Sequence, residues 1–431
     1  MIAIYNSNAI PADVRRRIFA RSGADLSTVA SIVSPLIKAV QMRGDAPILE
    51  KYAQRGVPID QLRVTKKEIA TAAKQVSPDF LMALEQVIAN LQAVSNDQLI
   101  SLQQQPKTRL LGGSIEVWRK WQPETAVGIY APGGRANYPS TVLMCAVPAL
   151  TAGCSRLILT VPPQADGTLP AELLVAANRL GITDIFKVGG AQAIAALAYG
   201  TQSIPKVSLV VGPGNQYVTA AKVSLFPQIR IDAPAGPSEN LIIADSSANP
   251  AWVAADLITD CEHGPDSTGL VITTSATLAA KVQSEVAQQI SKLATGQVIK
   301  ESLQRYGAIL ITRTTKESIA LANEYAPEHL QIMTANPLQV AKKITCAGSV
   351  FVGSYSAKAA GDYATGANHV LPTGGQARNF GPLAVDTFGT YIEFQSVSKN
   401  GLEQLRSTIE TFATVEELPA HKESVRVRFA S

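Results

Sequence analysis

The sequence predicts an α/β protein with two parallel-sheet domains, a set of helices ahead of them and a helical tail behind. Three observations carry this. From Ser114 to Val352, short β-branched runs alternate with helical stretches, and such alternation implies right-handed crossover units and parallel strands. Between residues 13 and 101, apolar residues instead recur at three- and four-residue spacing, the mark of helices. The chain of 431 residues also exceeds what one hydrophobic core serves, so two or three domains are expected.

Helices are expected at 13–20, 27–55, 65–74 and 78–101, with Ser27 and Thr65 as caps. Glu68 follows Thr65 by three residues, the capping-box spacing. Strands are expected at 126–130, 157–161, 185–188 and 207–211, each followed by a helix. A second series of strands follows at 240–244, 270–273, 308–312, 331–334 and 349–352, with helices at 250–261, 276–293, 316–324 and 337–344 between them. Each series reads as an incomplete Rossmann-like sheet. Beyond Phe380 the pattern loosens into a hairpin-like stretch at 387–396, a helix at 401–412 and a polar tail at 414–431.

Composition excludes several classes of function. The net charge is +4, from 38 basic and 34 acidic residues spread along the chain. The clusters at Arg15–Arg17 and Lys66–Lys67 are short and read as solvated helix faces, not a nucleic-acid footprint. Aromatic residues make up 6%, too few for a base-stacking platform. The apolar runs at 141–152 and 208–211 fall far short of the ~20 residues of a membrane span. The first residues lack a basic flank and an apolar signal core, so a cytoplasmic protein is expected. Four cysteines without a CxxC pair read as buried thiols in a reducing compartment.

Three glycine loops stand where a strand meets a helix: Ala131-Pro-Gly-Gly134, Gly189-Gly190 and Gly212-Pro-Gly-Asn215. Helix N-termini at such turns favour phosphate. Ordinary βα turns use the same residues, and none of the three loops matches GxGxxG. Their repetition at successive strand ends favours nucleotide contact.

The four histidines carry the remaining chemistry. His263 follows Asp260 by three residues, so on a helix the two share a face suited to a metal. Cys261 would point away. His329 adjoins Glu328 just after Pro327, and both side chains could serve one site if the backbone turns there, as base and proton shuttle. A charged pair on a surface loop is the alternative. His369 lies in a glycine-rich loop after Asp362, and His421 in the tail after Glu416. No local segment supplies more than two of the roughly four ligands that zinc needs, so any metal site must be assembled from distant parts.

In order along the chain, Gly128-Ile-Tyr-Ala-Pro-Gly-Gly134, Tyr138-Pro-Ser-Thr-Val-Leu-Met144, Gly189-Gly-Ala-Gln-Ala-Ile-Ala195, Val211-Gly-Pro-Gly-Asn215, Pro234-Ala-Gly-Pro-Ser-Glu239, Glu262-His263, Tyr325-Ala-Pro-Glu-His-Leu330, Gly361-Asp-Tyr-Ala-Thr-Gly366, Asn368-His-Val-Leu-Pro-Thr373 and Ala420-His-Lys422 resemble the histidinol dehydrogenase family. The resemblance spans nearly the whole chain. It implies an enzyme that oxidises L-histidinol to L-histidine through the aldehyde, in two hydride transfers to NAD. His329 would take the alcohol proton and Glu328 would activate water. Zinc would be held by Asp260, His263, Asp362 and His421, and these four would meet the substrate through it. Ser238, His369 and Glu416, with His329, would contact the substrate directly, and Tyr130, Gln192 and Asn215 would lie along NAD.

The resemblance also implies a homodimer in which Glu416 and His421 serve the partner's site. On that basis the NAD-binding domain is 129–239. Residues 1–128 join 240–380 in a discontinuous domain that carries most of the zinc and catalytic site, and 381–431 form the swapped tail. One departure stands out: the family usually has Gln at the first zinc position, and this chain has Asp260. The added negative charge suits a different substrate charge as well, so a relative oxidising another polar alcohol is the first alternative. A binding protein that has lost catalysis is the second, and retention of Glu328, His329 and all four histidines speaks against it.

Overall fold

The structure, a computed structural model, describes residues 2–21, 26–133 and 137–430, the side chains at 26 and 27 excepted. Gly134, the last glycine of the first expected loop, lies outside the described residues. The chain opens on a strand that helical spacing did not suggest, β1 (Ala3–Asn6). Four residues are too few to show a period, and its partner lies some three hundred residues away. Helices follow at Ala12–Ala20, Leu26–Arg43, Ala46–Gln54, Lys66–Ala72 and Pro78–Gln103. The expected helix at 27–55 is therefore two, broken at Gly44, whose φ of 61° is left-handed. Ser27 lies inside the first of them and is not its cap. Thr65 forms the capping box with Glu68, as expected.

These helices divide between the two sheets. Val14 and Ile18 enter the core of the later sheet. Val33, Val40, Ile48 and Tyr52 pack on one face of the earlier sheet, and Leu84 and Leu91 on its other face.

Strands β2 (Thr108–Leu110) and β3 (Ile115–Pro123) come next. The first parallel sheet contains β4 (Ala126–Tyr130), β5 (Arg156–Val161), β6 (Asp184–Lys187), β7 (Leu209–Val211) and β8 (Arg230–Ile231), in the order β6-β5-β4-β7-β8. The second contains β9 (Glu239–Ala244), β10 (Thr268–Thr273), β11 (Ala308–Ile311), β12 (His329–Met333) and β13 (Ser349–Val352). Its order is β1-β11-β10-β9-β12-β13, all parallel. Both sheets reverse their winding, between β4 and β7 and between β9 and β12, and such switch points open crevices for ligands. Each sheet is covered by apolar side chains on both faces, which is why its strands read as unbroken apolar runs.

The helix Gly296–Tyr306, which buries Ile299 and Leu303, was not foreseen. The hairpin-like stretch at 387–396 is instead one strand, β14 (Gly389–Val397), antiparallel to β3 along its length. Its partner is the distant 115–123 segment, and Trp118 stacks on Phe394 with centroids 5.4 Å apart. The tail forms helices at Lys399–Val415 and Pro419–Arg426. Among the described residues no helix is long and apolar enough to cross a membrane.

Candidate active site

Adjacent strands β9 and β12 begin side by side, with His329 level with Asn240. Their first residues clasp each other. The amide of Glu239 donates to Glu328 Oε2 at 2.8 Å, and the amide of Glu328 donates back to Glu239 Oε2 at 3.4 Å. Glu239 is also gripped by Arg21, whose Nη1 lies 2.9 and 2.8 Å from its two oxygens, and by the amide of Gly374 at 2.8 Å. Arg21 reaches the carbonyl of Tyr325 as well and covers that ring at 3.8 Å.

Between Tyr325 and the pair, Ala326 is left-handed, with φ 50° and ψ 67°. A non-glycine residue there stores strain. The turn lets adjacent Glu328 and His329 both point inward, where each is almost fully buried. The surface-loop alternative is excluded by that burial.

His329 Nδ1 lies 3.1 Å from the carbonyl oxygen of Glu239 and 3.1 Å from Asp260 Oδ2. A carbonyl only accepts, so Nδ1 carries a hydrogen and Nε2 holds the lone pair of the neutral ring. Nε2 is buried without a hydrogen-bond partner, 3.8 Å from Asp362 Oδ1. An unpartnered ring nitrogen in a buried site is costly unless a ligand completes it.

Asp260, fully buried, stands in a 3-10 turn, Asp260–Glu262, that ends the helix Pro250–Thr259. His263 Nε2 lies 3.9 Å from its Oδ1, on a side chain 42% exposed. Cys261 points away, as expected, donating to the carbonyl of Leu257 in the core. Asp362 ends up beside Asp260, but what joins them is Lys358. The ammonium of Lys358, itself 4% exposed, lies 2.6 Å from Asp260 Oδ1 and 2.6 Å from Asp362 Oδ2. His369 donates from Nδ1 to the carbonyl of Asp362 at 2.9 Å. Ser238 is half-buried just ahead of β9. Glu416 and His421 are exposed on the tail and do not join the cluster within one protomer.

Charge and burial oppose each other in this cluster. Burial raises Glu328, Asp260 and Glu239 raise it further, and nearby His329 only partly offsets them. Burial opposes charge on His329, but Asp260 and Glu328 outweigh it and push its pKa up to about 9. Burial likewise opposes the Lys358 ammonium, and Asp260 and Asp362 more than compensate, holding it charged. Asp260 stays ionised because Lys358 and His329 overcome its burial. His369 is kept neutral by burial.

The donor set expected for zinc does not fit one here. Among the described residues no three His, Cys, Asp or Glu side chains converge as a metal cage. Asp260 and Asp362 converge on an ammonium instead. A divalent ion about 4 Å from that ammonium would meet a repulsion of roughly 8 kcal/mol at an effective dielectric near 20.

Tyr130, Gln192 and Asn215 all stand at the carboxyl edge of the first sheet, as expected of nucleotide contacts. Three of the described loop amides there are already engaged. The amides of Gly189 and Gly190 donate to the hydroxyls of Tyr52 and Tyr130 at 3.0 and 3.3 Å. The amide of Gly212 donates to Asp232 at 2.8 Å, and Asn215 caps its own helix through Tyr217 and Val218. Buried Gln192 accepts from Lys51 Nζ at 2.8 Å. A nucleotide at this edge would find Lys51 as a cation beside it, with the amides of Gly189, Gly190 and Gly212 already taken.

Glu239, Arg21 and Lys358 were not found by sequence reasoning. For Lys358 a signal existed, its position four residues before Asp362, which places the two on one helix face.

Two parallel α/β sheets, with a deeply buried Glu–His pair at the start of β12, define the class as an α/β protein with a titratable cluster enclosed beside its second sheet. The family model for histidinol dehydrogenase matches residues 19–429. The histidinol dehydrogenase of Methanosarcina barkeri is 43% identical over 411 residues, covering 94% of this chain and 93% of the relative. That of Caldanaerobacter subterraneus is 41% identical over 433 residues, covering 100% and 99%. The crystal structure of histidinol dehydrogenase from Elizabethkingia anophelis superposes with a TM-score of 0.92 at 36% identity, covering 99% of this chain and 98% of that one. The chain belongs to the histidinol dehydrogenase family and is an oxidoreductase.

Proposed function

We propose that the enzyme oxidises L-histidinol to L-histidine through L-histidinaldehyde, the closing steps of histidine biosynthesis, with NAD as hydride acceptor. The observation that carries this reading is the buried, unpartnered Nε2 of His329 beside Glu328. In each round a hydride leaves the substrate carbon and a proton leaves its oxygen. NAD, when bound, takes the hydride. His329 takes the alcohol proton at Nε2, its ring held in the correct tautomer by the carbonyl of Glu239. Water then adds to the aldehyde, giving up a proton to Glu328 and producing the hydrated form that is oxidised in the second round. Burial keeps bulk water from the aldehyde.

Ser238, His369, Asp260, Asp362 and His263 are proposed to surround the substrate, and Tyr130, Gln192 and Asn215 the NAD. Residues 129–239 would then be the NAD-binding unit, and 1–128 together with 240–380 the discontinuous unit that carries most of the catalytic site. Glu416 and His421 are proposed to complete the partner's site in a homodimer. Support for that comes from the tail, which leaves Phe412, Val415 and Val427 exposed at 63%, 77% and 54%, an apolar surface expected to be covered. A cytoplasmic site of action goes with four unpaired cysteines, three of them buried.

The test is a Glu328→Gln variant assayed on L-histidinol and, separately, on L-histidinaldehyde. Aldehyde oxidation should fall on the order of 100-fold or more while alcohol oxidation suffers less. Equal, small effects on both would contradict the assignment. One observation favours a second reading, oxidation of another polar alcohol: Lys358 stands where a metal would otherwise grip an imidazole and an amine. Turnover with other amino alcohols and none with L-histidinol would select it.

A further inference from the structure

The residues that the resemblance assigns to a metal are held together by a cation of the chain's own. Asp260 and Asp362 come from separate segments, and each places one oxygen 2.6 Å from the Lys358 ammonium. All three groups are buried or nearly so, with side-chain exposures of 0%, 15% and 4%. Removing Lys358 would leave two carboxylates facing each other in the interior with no cation between them. The departure at position 260 now has a reason. An amide there would give the buried lysine one carboxylate; Asp260 gives it two.

We propose that Lys358 is the resident cation of this site, occupying the place of the divalent metal, so that the enzyme binds substrate and turns over without a metal ion. An ammonium carries three donors. One is donated to Asp362 and a second faces Asp260 in the ion pair, which leaves the third for an acceptor atom of the substrate. Two carboxylates and one ammonium leave the cluster with one net negative charge. A substrate carrying a cationic amine and an uncharged acceptor atom, an amino alcohol, suits that balance. No new redox step is involved, since hydride and proton go where the proposed reaction already sends them. The inference rests on that reading for the substrate, but the metal measurement below does not.

The test begins with the unmodified protein, loaded with zinc chloride, dialysed against a chelator and analysed by elemental mass spectrometry. Zinc well below one equivalent per chain, no zinc-dependent rise in melting temperature, and activity unchanged by the chelator are expected. One tightly held zinc per chain, with activity lost on chelation and restored by zinc, would overturn the proposal. Lys358→Gln provides a second arm. Freed of the ammonium, the carboxylates should bind zinc more than about tenfold tighter than the parent does. A folded variant that gains no zinc affinity would count against Lys358 as the occupant. Failure of the unmodified protein to oxidise L-histidinol would sink the substrate assignment and leave the metal result standing.

Discussion

At His329 one contact fixes the chemistry and another sets its pH. The carbonyl of Glu239 puts the hydrogen on Nδ1, so the lone pair of the proposed base is at Nε2. Asp260, 3.1 Å from the same Nδ1, stabilises the protonated ring, and with Glu328 it lifts the pKa to about 9 against the pull of burial. The ring must be neutral to accept a proton. With a raised pKa, the base form is scarce at neutral pH and accumulates as pH rises towards that value. The profile of kcat/KM should therefore climb on the alkaline side of neutrality. Asp260→Asn removes the larger of the two raising charges, so the ascending limb should move towards neutral pH. Each unit of that shift increases the base fraction at pH 7 about tenfold. A steady-state profile measured from pH 6 to 10 checks this, and an unmoved limb would show that Asp260 does not set the titration. Glu328 and His329 were legible in the sequence because they adjoin. Lys358 was not, because a lysine on a helix is ordinarily solvated and only its partner from position 260 reveals its burial.

Among the elements, the loops at the carboxyl edge of the first sheet show why a glycine motif alone is a weak sign of a nucleotide. Gly212 is required by geometry. Its φ of 112° is left-handed, and a Cβ there would stand 2.1 Å from the carbonyl oxygen of Tyr130, an atom of the neighbouring strand. Its amide is held by Asp232, which also pairs with buried Lys222. The loop is thus a structural joint between β7, the following helix and the segment leading to β9. Gly212→Ala should cost several kcal/mol, the sum of a strained φ and a displaced strand end. Denaturant unfolding measures that loss, and a change below about 1 kcal/mol would mean that the loop adapts freely. The alternating strands and helices of both sheets were readable because both faces of each strand are apolar. Strand β1 was not, and β14 read only as a hairpin-like stretch, since each gains its order from a partner hundreds of residues away.

For the whole molecule, the tail sets the question of assembly. Its two helices pack on each other, with Val425 and Ala413 buried. The opposite side, with Phe412 and Val415, faces solvent, and Glu416 and His421 are exposed on the same tail. A swapped tail makes each active site a joint product of two chains. Two inactive proteins should then repair each other. His329→Ala has a dead core and a sound tail; Glu416→Ala has the reverse. If subunits are exchanged by dissociation and reassociation, half the dimers are mixed and each mixed dimer holds one sound site in two. The mixture should recover roughly a quarter of the unmodified activity, by symmetry alone. Recovery is read from NADH formation after mixing, alongside sedimentation analysis to confirm exchange. Complete exchange with no recovery would place the tail in its own chain's site or in none. A Phe412→Glu substitution adds the structural arm, because a charge on the apolar side of the tail should weaken the dimer and remove activity together.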